Sequence, residues 1–410
     1  MGAGHLEDGP RPPVALYVHV PFCVSVCPYC DFVVLAGAAA RGPRSRVAAF
    51  VAALEAELDL RADALDERWG SARPPLRSLY LGGGTPSLLP AHDLDRLVGL
   101  VRRRFGLAPD AEVTIEVNPG PDERGDAAGF RDVGVSRVSI GAQSLDAAEL
   151  RRLGRRHAPA DVAATVEAAR AAGIPSVSLD LLLDLPGSTL DRFTRTLDAA
   201  LALEPDHLSI YALTLDDPDA EGLTGDFGDH LPVRSGARRW RDRARAAQDA
   251  DRAAAEYELA DGRLAEVGLA WYEISNWARP GHESRHNQVY WRREPYEAVG
   301  PGAHAFDGAV RRWNAARLDG YLAALAPAAG APALPPGGSE ALDAQTAAAE
   351  AAILALRTAG GLDAVGASTG PAATVVPWAI EAGLLQPAGD RYALTLRGRL
   401  LSNEVFARLV

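Results

Sequence analysis

The chain has few cysteines and lacks the long apolar segments typical of secreted and membrane proteins. Its 410 residues include only three cysteines, one methionine and no lysine. So few cysteines cannot build the disulfide framework of a small secreted domain. The sequence has no apolar run of about 18 residues that would predict a membrane span, and its N-terminus lacks the basic and apolar regions of a signal peptide. We therefore expect a cytoplasmic protein without a membrane span.

Length and charge limit the classes of partner. A chain of 410 residues, of which 48% are hydrophobic, is long enough for two or three units with their own cores. The net charge of −12 disfavours binding to a phosphate backbone, so we expect no nucleic-acid partner. The chain has no lysine, so arginine takes the place of both residue types. A single arginine is therefore weaker evidence of function than usual.

The three cysteines lie together at Cys23, Cys27 and Cys30, in the spacing CxxxCxxC. This spacing suits a cubane iron–sulfur cluster and leaves its fourth iron without a protein ligand. Because cluster sites usually supply four cysteines, we expect a small molecule at the open iron. The alternatives are a zinc site completed by His19 and three incidental buried thiols. His19 lies on an apparent strand and incidental thiols would be scattered, so we prefer the cluster.

Apolar runs typical of strands alternate with stretches of helical periodicity in the first half of the chain. Six such runs occur, at 14–20, 76–82, 112–118, 137–144, 176–185 and 207–215. This alternation predicts an α/β fold with a partial or full parallel barrel, in which ligands bind at the C-terminal ends of the strands.

The sequence further divides into predicted parts. They are a flexible tail at 1–13, the barrel at 14–217, an extension at 218–325, a linker at 326–338 and a small winged-helix-like domain at 339–410. Within the extension, the Arg-dense stretch 234–245 predicts a solvated helix or mobile loop, with a basic docking face as the alternative. Because the chain is acidic, we interpret the C-terminal domain as a packing or partner module rather than a DNA reader.

Glycines and polar residues follow the predicted strands. Gly82–Gly84 end the second run, where the absence of Cβ would let a ligand use backbone N–H and C=O groups. The polar residues are Glu116, Gln143, Arg155 and Asp180. A carboxylate within an apolar run, such as Asp180, must be hydrogen-bonded, and ribose hydroxyls would satisfy it. Arg155 could bind a carboxylate, and its neighbour Arg156 could do so instead. Glu116 could accept a hydrogen bond from an ammonium or hydroxyl group, or it could form a structural salt bridge.

Together these motifs resemble the radical S-adenosylmethionine (SAM) superfamily. The segments Tyr-Val-His-Val-Pro-Phe-Cys, Gly-Gly-Gly-Thr-Pro, Glu-Val-Asn-Pro, Gly-Ala-Gln-Ser and Leu-Gly-Arg-Arg-His are similar to the oxygen-independent coproporphyrinogen III oxidase family. The resemblance implies a radical SAM partial (β/α)6 barrel with a [4Fe–4S] cluster on the three cysteines. It also implies SAM contacts from Tyr17, Gly83, Gly84, Thr85, Glu116, Gln143, Arg155 and Asp180. Tyr29 would shield the cluster or contact the adenine side.

Two features favour the heme-chaperone branch of this family. The oxidase is expected to carry a fourth cysteine two positions after the third, where this chain has Phe32. The segment His-Asn-Gln-Val-Tyr-Trp from His286 to Trp291 resembles the HNxxYW signature of the chaperone branch. An imidazole can bind heme iron, so His286 is the candidate ligand, with Tyr290 and Trp291 against the macrocycle.

Alternatives to this heme site stay open. His286 and Asn287 could instead tie a loop to the barrel, with the aromatic residues in the core. Rival iron ligands are His304, His207 and His157.

One segment departs from the family pattern. The usual Gly-Leu-Pro-Gly-Gln-Thr reads Asp-Leu-Pro-Gly-Ser-Thr from Asp184, so Asp184 and Ser188 replace a small residue and an amide near the expected adenosine pocket. The substitutions put the affinity for SAM in question.

Three functions compete. The preferred one is a carrier that binds heme and transfers it to apoproteins such as respiratory-chain hemoproteins, with peripheral contact to membrane-bound recipients and a homodimer left open. The second is a coproporphyrinogen III oxidase that uses SAM for oxidative decarboxylation of a porphyrinogen, against which Phe32 argues. The third is a radical SAM enzyme acting on RNA or another substrate, with the C-terminal winged unit as its reader, which the acidic charge disfavours.

Overall fold

The computed structural model describes residues 9–326 and 330–410. Residues 1–8 of the predicted tail and 327–329 of the predicted linker lie outside the described residues. None of the helices in the described part combines the length and apolar character needed to cross a membrane.

Most strands of the described chain belong to one large sheet, and the others form two small ones. In chain order they are β1 (Ala15–Val20), β2 (Phe22–Cys23), β3 (Leu35–Ala36), β4 (Leu76–Gly83), β5 (Leu107–Val117), β6 (Arg137–Gln143), β7 (Ser176–Leu183), β8 (His207–Ala212), β9 (Ala270–Glu273), β10 (Asn276–Ala278), β11 (Tyr296–Val299), β12 (His304–Phe306), β13 (Val310–Asn314), β14 (Gly337–Ala341), β15 (Leu362–Asp363), β16 (Leu385–Ala388) and β17 (Arg391–Leu394).

Helices connect these strands. They are α1 (Val47–Trp69), α2 (Ala91–Arg104), α3 (Ala127–Asp132), α4 (Ala147–Arg152), α5 (Pro159–Ala171), α6 (Leu190–Leu201), α7 (Ser235–Arg245), α8 (Ala250–Glu266), α9 (Arg285–Trp291), α10 (Leu318–Leu325), α11 (Ala344–Leu356), α12 (Ala364–Ala367), α13 (Ala372–Glu381), α14 (Leu396–Leu400) and α15 (Ser402–Phe406).

Six parallel strands form the centre of the large sheet, in the order β1, β4, β5, β6, β7 and β8. Each of the six predicted apolar runs overlaps one of them, which confirms the partial (β/α)6 barrel. The later part of the chain extends both edges, with β11 to β14 beside β1, and β10 and β9 beside β8. Residues far apart in sequence therefore meet along the barrel.

The alternation of residues in β1 shows how the barrel is organised. Leu16, Val18 and Val20 are buried in the main hydrophobic core with residues of α1. Because successive side chains of a strand point to opposite faces, Tyr17 and His19 face the interior of the barrel. That interior is polar, whereas the interiors of complete (β/α)8 barrels are dominated by branched apolar side chains.

A small unit follows the large sheet. β15, β17 and β16 form an antiparallel sheet around a core that includes Leu356, Val376 and Leu385, in agreement with the predicted C-terminal domain. β14 pairs with β13, so residues assigned to the linker and to the start of that domain belong to the large sheet. The exact domain boundaries stay a prediction.

Glu57 ties its own helix, α1, to three other elements of the fold. Its side chain is fully buried and accepts hydrogen bonds from the guanidinium of Arg61 (3.3 Å), Asn314 Nδ2 (2.8 Å), the Tyr321 hydroxyl (2.8 Å) and the Gly300 N–H (2.8 Å). These partners lie on α1, β13, α10 and the turn after β11, so one carboxylate fixes the extension against the barrel.

We expect Glu57→Ala to lower the free energy of unfolding by about 3–5 kcal/mol, because it leaves a buried guanidinium and several donors without their acceptor. Glu55→Ala is the matched control on the same helix, since Glu55 pairs with the exposed Arg96 and its loss should lower that free energy by less than about 1 kcal/mol. Denaturant unfolding of both variants checks this, and equal losses would contradict it.

Candidate functional site

The cysteine loop, residues 23–30, leaves the barrel at the C-terminal end of β1. β2 pairs in parallel with β3, Cys23 lying opposite Ala36, so the chain returns to its starting point after the loop. Cys23 is buried, and Cys27 and Cys30 are partly exposed. A backbone turn, in which the Cys30 N–H donates to the Cys27 carbonyl (3.1 Å), carries the second and third thiols. The loop thus lies at the strand ends, where ligands bind in such folds.

Arg241 of α7 holds the cysteine loop from outside. Its guanidinium donates to the carbonyls of Pro28 (3.1 Å), Tyr29 (3.1 Å) and Cys30 (3.0 Å). The solvated helix predicted here is confirmed as a helix, but the expectation of solvation is wrong for Arg241, which is buried. Tyr29 contacts Trp240 of the same helix, with ring centroids 6.2 Å apart.

A chain of hydrogen bonds runs from the barrel to the sulfur atoms. The Thr85 hydroxyl donates to Cys23 Sγ (3.3 Å) and accepts from Asn118 Nδ2 (2.8 Å). The Arg155 guanidinium donates to Asn118 Oδ1 (2.6 Å) and lies 3.8 Å from Cys27 Sγ. Two of the three thiols therefore have a donor directed at them.

These contacts fit an iron–sulfur cluster. Burial raises the pKa of Cys23 to about 11, so metal binding must displace a proton, and the nearby hydroxyl and guanidinium stabilise the resulting thiolates. Within residues 9–326 and 330–410, no group of three or more His, Cys, Asp or Glu side chains is placed to hold a single metal ion. A cubane has a different requirement, because each thiolate binds a different iron.

The glycines at the C-terminal end of β4 are required by contacts within the protein. Gly83 has a φ of +105°, and a Cβ there would lie 2.4 Å from the His19 ring. A Cβ on Gly84 would lie 2.7 Å from the carbonyl oxygen of Phe22. The Gly83 N–H donates to Glu116 Oε2 (2.9 Å) and the Gly84 N–H to the Val20 carbonyl (2.8 Å). Both N–H groups are thus engaged within the protein, contrary to the expectation that they are presented to a ligand.

His19 is positioned as a structural residue. Its Nε2–H donates to the Val33 carbonyl (2.8 Å), so Nδ1 accepts from the Tyr17 hydroxyl (3.0 Å). Burial lowers the pKa of His19 to about 4, which keeps the ring neutral. With both nitrogens occupied, His19 is not arranged to complete a zinc site.

Glu116 lies on the inner face of β5. It accepts hydrogen bonds from the Tyr80 hydroxyl (2.8 Å) and from the Gly83 N–H. Burial raises the pKa of Glu116 to about 7 despite these donors. The carboxylate would ionise fully beside a cation such as the ammonium of an amino acid.

The remaining predicted SAM residues lie within β7, at the end of β6 and in the loop after α4. Asp180 accepts from the Ser139 hydroxyl (3.1 Å), and burial raises the pKa of Asp180. Gln143 has a φ of +65°, a backbone conformation that non-glycine residues adopt rarely. Arg155 donates to the Gly141 carbonyl (2.6 Å), and its buried Nε has no partner within the described residues. The structure therefore brings these polar groups together.

The two departures from the family pattern serve internal contacts. Asp184 has a φ of +57°, where the family has glycine, and aspartate tolerates this left-handed region better than most residues. Its carboxylate accepts from the N–H of Asp249 (3.0 Å) and pairs with Arg252. Ser188 donates to Glu149 Oε1 (2.5 Å). Both side chains bind their own chain at these contacts.

The HNxxYW segment forms α9, which lies beneath the barrel. His286 is buried among Tyr80, Tyr17 and Tyr290, and its Nδ1 and Nε2 lie 2.9 Å from the Ser78 hydroxyl and 2.8 Å from the Tyr290 hydroxyl. Burial lowers the pKa of His286 to about 3. In this arrangement the histidine closes the floor of the barrel, and both its nitrogens are occupied.

The rival histidines differ in accessibility. His207 is buried, with its ring nitrogens 2.8 Å from the hydroxyls of Ser178 and Tyr272. His157 is buried against the Ala142 carbonyl (3.1 Å). His304 is the exception, because its side chain is 42% exposed.

Sequence reasoning missed three residues of this site. Asn118 belongs to the Glu-Val-Asn-Pro motif and lies two positions after Glu116, the residue chosen from that motif. Tyr80 lies two residues before Gly82 on the inner face of β4. Arg241 gave no local signal, because it is one of many arginines in its stretch.

The chain is similar to known proteins over nearly its whole length. The model of the radical SAM superfamily matches residues 17–200. The chain is 40% identical over 407 residues to the heme chaperone HemW of Mycobacterium tuberculosis, covering 99% of this chain and 97% of that protein. It is 30% identical to the HemW of Bacillus subtilis, covering 95% and 97%. The fold is similar to that of coproporphyrinogen III oxidase (HemN) from Escherichia coli, with a TM-score of 0.78, 24% identity and coverage of 98% and 91%.

We expect Thr85→Val to lower the reduction potential of the reconstituted cluster without loss of iron. The substitution removes the hydroxyl that donates to Cys23 Sγ, and hydrogen bonds to the sulfurs stabilise the more negative reduced state. Potentiometric titration and iron analysis check this, with Cys23→Ala as the control that should lose iron. An unchanged potential in Thr85→Val would contradict the assignment.

We expect the wild type to lose stability relative to Glu116→Gln as the pH rises from about 4.5 to 7. The unfolded carboxyl ionises near 4.5, whereas the pKa of the folded Glu116 is about 7. The difference in the free energy of unfolding should be constant below that window, change by on the order of 3 kcal/mol across it and level off above it. Denaturant unfolding of the cluster-free proteins across the window measures it, and a difference independent of pH would contradict the pKa.

Proposed function

Since the chain belongs to the heme chaperone HemW family of the radical SAM superfamily, we propose that it binds heme and transfers it to apoproteins. The observation that carries this proposal is the similarity to heme chaperones over nearly the whole chain, including the segments outside the barrel. The C-terminal unit and the HNxxYW helix are thus part of the resemblance.

The proposed cofactors are a [4Fe–4S] cluster and SAM. Cys23, Cys27 and Cys30 would hold the cluster, and the donors from Thr85 and Arg155 would stabilise its thiolates. When bound, such a cluster would supply electron-transfer chemistry. The chain's own part would be to hold the cluster through its cysteine loop and to offer SAM the carboxylates of Glu116 and Asp180 and the Arg155 Nε, which has no partner within the described residues. Because the cysteines must stay reduced, the proposed location is the cytoplasm.

One position favours a carrier over a porphyrinogen oxidase. Phe32 stands where the oxidase is expected to carry a cysteine, and its side chain is 63% exposed.

The proposed partners are heme and apo-hemoprotein recipients, including those of the respiratory chain. Contact with membrane-bound recipients would be peripheral, and dimerisation is compatible with a carrier. Porphyrinogen is the alternative small-molecule partner.

Heme titration and an oxidase assay on the same preparation test the proposal. We expect the reconstituted protein to bind heme saturably and to load an apo-hemoprotein, and to form no protoporphyrinogen from coproporphyrinogen III in anaerobic assays with SAM and a reductant. Cys23→Ala serves as the control without a cluster. Protoporphyrinogen formation that requires SAM and Cys23 would replace the carrier by the oxidase.

A further inference from the structure

Two histidines outside the barrel share one carboxylate. Asp229 Oδ1 lies 2.9 Å from His230 Nδ1, and Asp229 Oδ2 lies 2.9 Å from His304 Nε2. A carboxylate only accepts hydrogen bonds, so both of these ring nitrogens carry hydrogen. Burial would raise the pKa of Asp229, but interaction with the two rings holds this pKa well below its usual range. The carboxylate therefore fixes the orientation of both imidazoles.

This pairing leaves one nitrogen of each ring free. His230 Nε2 and His304 Nδ1 make no hydrogen bond to any residue within the described ranges 9–326 and 330–410. A histidine that binds a metal usually donates its other ring N–H to a carboxylate, as His230 and His304 do here. Nε2 stands at the tip of the ring, away from Cβ, so a planar macrocycle meets less obstruction at His230 Nε2 than at His304 Nδ1.

The loop that carries His230 is fixed, yet it exposes a large apolar side chain. The Gly228 carbonyl accepts from the Ala316 N–H (2.8 Å), and the Phe227 carbonyl accepts from Trp313 Nε1 (3.1 Å). The Phe227 side chain is nevertheless 66% exposed. Exposed apolar groups on a fixed loop are typical of a binding surface.

The cysteine loop continues into the same surface. Phe32 follows Asp31, whose charge acts on His230, and precedes Val33, which packs beside Gly302. Trp313 stacks on His304, with ring centroids 6.0 Å apart and an interplanar angle of 23°. The imidazole with a free Nε2 thus lies on the loop that exposes Phe227, and the segment that follows the cysteine loop exposes Phe32.

A cation lies beside this apolar surface. Arg317 is 54% exposed, pairs through Nε with the exposed Asp226 (3.5 Å) and donates to the Gly225 carbonyl (3.3 Å) on the loop that carries Phe227. A macrocycle with carboxylate side chains matches this combination of an iron ligand, apolar faces and a surface guanidinium.

We propose that His230 Nε2 is an axial ligand of the heme iron, with Phe227 and Phe32 against the macrocycle. Asp229 and His304 are positioning residues that fix the ring of His230. The inference rests on the proposed heme-carrier function and names its site. It requires no displacement of the barrel floor, whereas ligation by His286 would break its contact with Tyr290 or Ser78.

Ferric heme titration of the full-length, cluster-reconstituted protein tests the site by difference absorbance and electron paramagnetic resonance. We expect His230→Ala and the size-matched His230→Gln to weaken binding by about tenfold or more and to lose the imidazole-ligand signature. Added imidazole should restore that signature in His230→Ala. His92→Ala, which removes an exposed histidine on α2, should titrate as the wild type.

The outcomes separate the inference from the function on which it rests. If the wild type binds heme and both His230 variants bind it with the same affinity and spectrum, the ligand assignment is overturned and the carrier stands. If the wild type does not bind heme, both are overturned. Unchanged circular dichroism and iron content in the variants show that a loss of binding is not a loss of fold.

Discussion

Polar groups inside the six-stranded barrel must find partners within the protein, and most of the site follows from this requirement. A buried donor or acceptor without a partner costs about 1–3 kcal/mol. Each inward polar side chain therefore restricts which neighbour can lie beside it and in which orientation. Glu116 accepts from Tyr80 and Gly83, Asp180 from Ser139, and His286 contacts Ser78 and Tyr290. The pairing fixes rotamers on several strands at once, and it gives the cysteine loop a rigid support.

Two arginines connect this support to the cysteines in different ways. Arg155 reaches the thiols from the barrel side and reinforces the link through Asn118 and Thr85, so its charge acts on sulfur. Arg241 reaches the loop from α7 and donates to its backbone carbonyls, as it does to that of Asp216, so it fixes the backbone. The planar guanidinium, with its five donors, can serve several carbonyls at once. In a chain without lysine these two roles are indistinguishable in the sequence.

The barrel could be predicted because its signals are local. Each strand is an apolar run with a helix after it, and strand ends gather in space whatever the details of packing, so Glu116, Gln143, Arg155 and Asp180 were predicted to lie together. The direction of each polar bond could not be predicted, because it depends on contacts between distant segments. Gly84 is required by the Phe22 carbonyl, Arg241 binds a loop more than two hundred residues earlier in the chain, and β14 pairs with β13 across the linker.

The position of HNxxYW bears on how a carrier can release its cargo. A ligand held by His286 would lie within the barrel floor, and each uptake or release would have to break and remake the hydrogen bonds to Ser78 and Tyr290. Local opening of this kind is hardest where buried contacts are dense. A ligand at His230 lies on a surface that is already open, beside the cysteine loop, and can leave without unfolding the floor. The buried motif then has a structural role, because its side chains complete the polar interior that supports the cluster site from below.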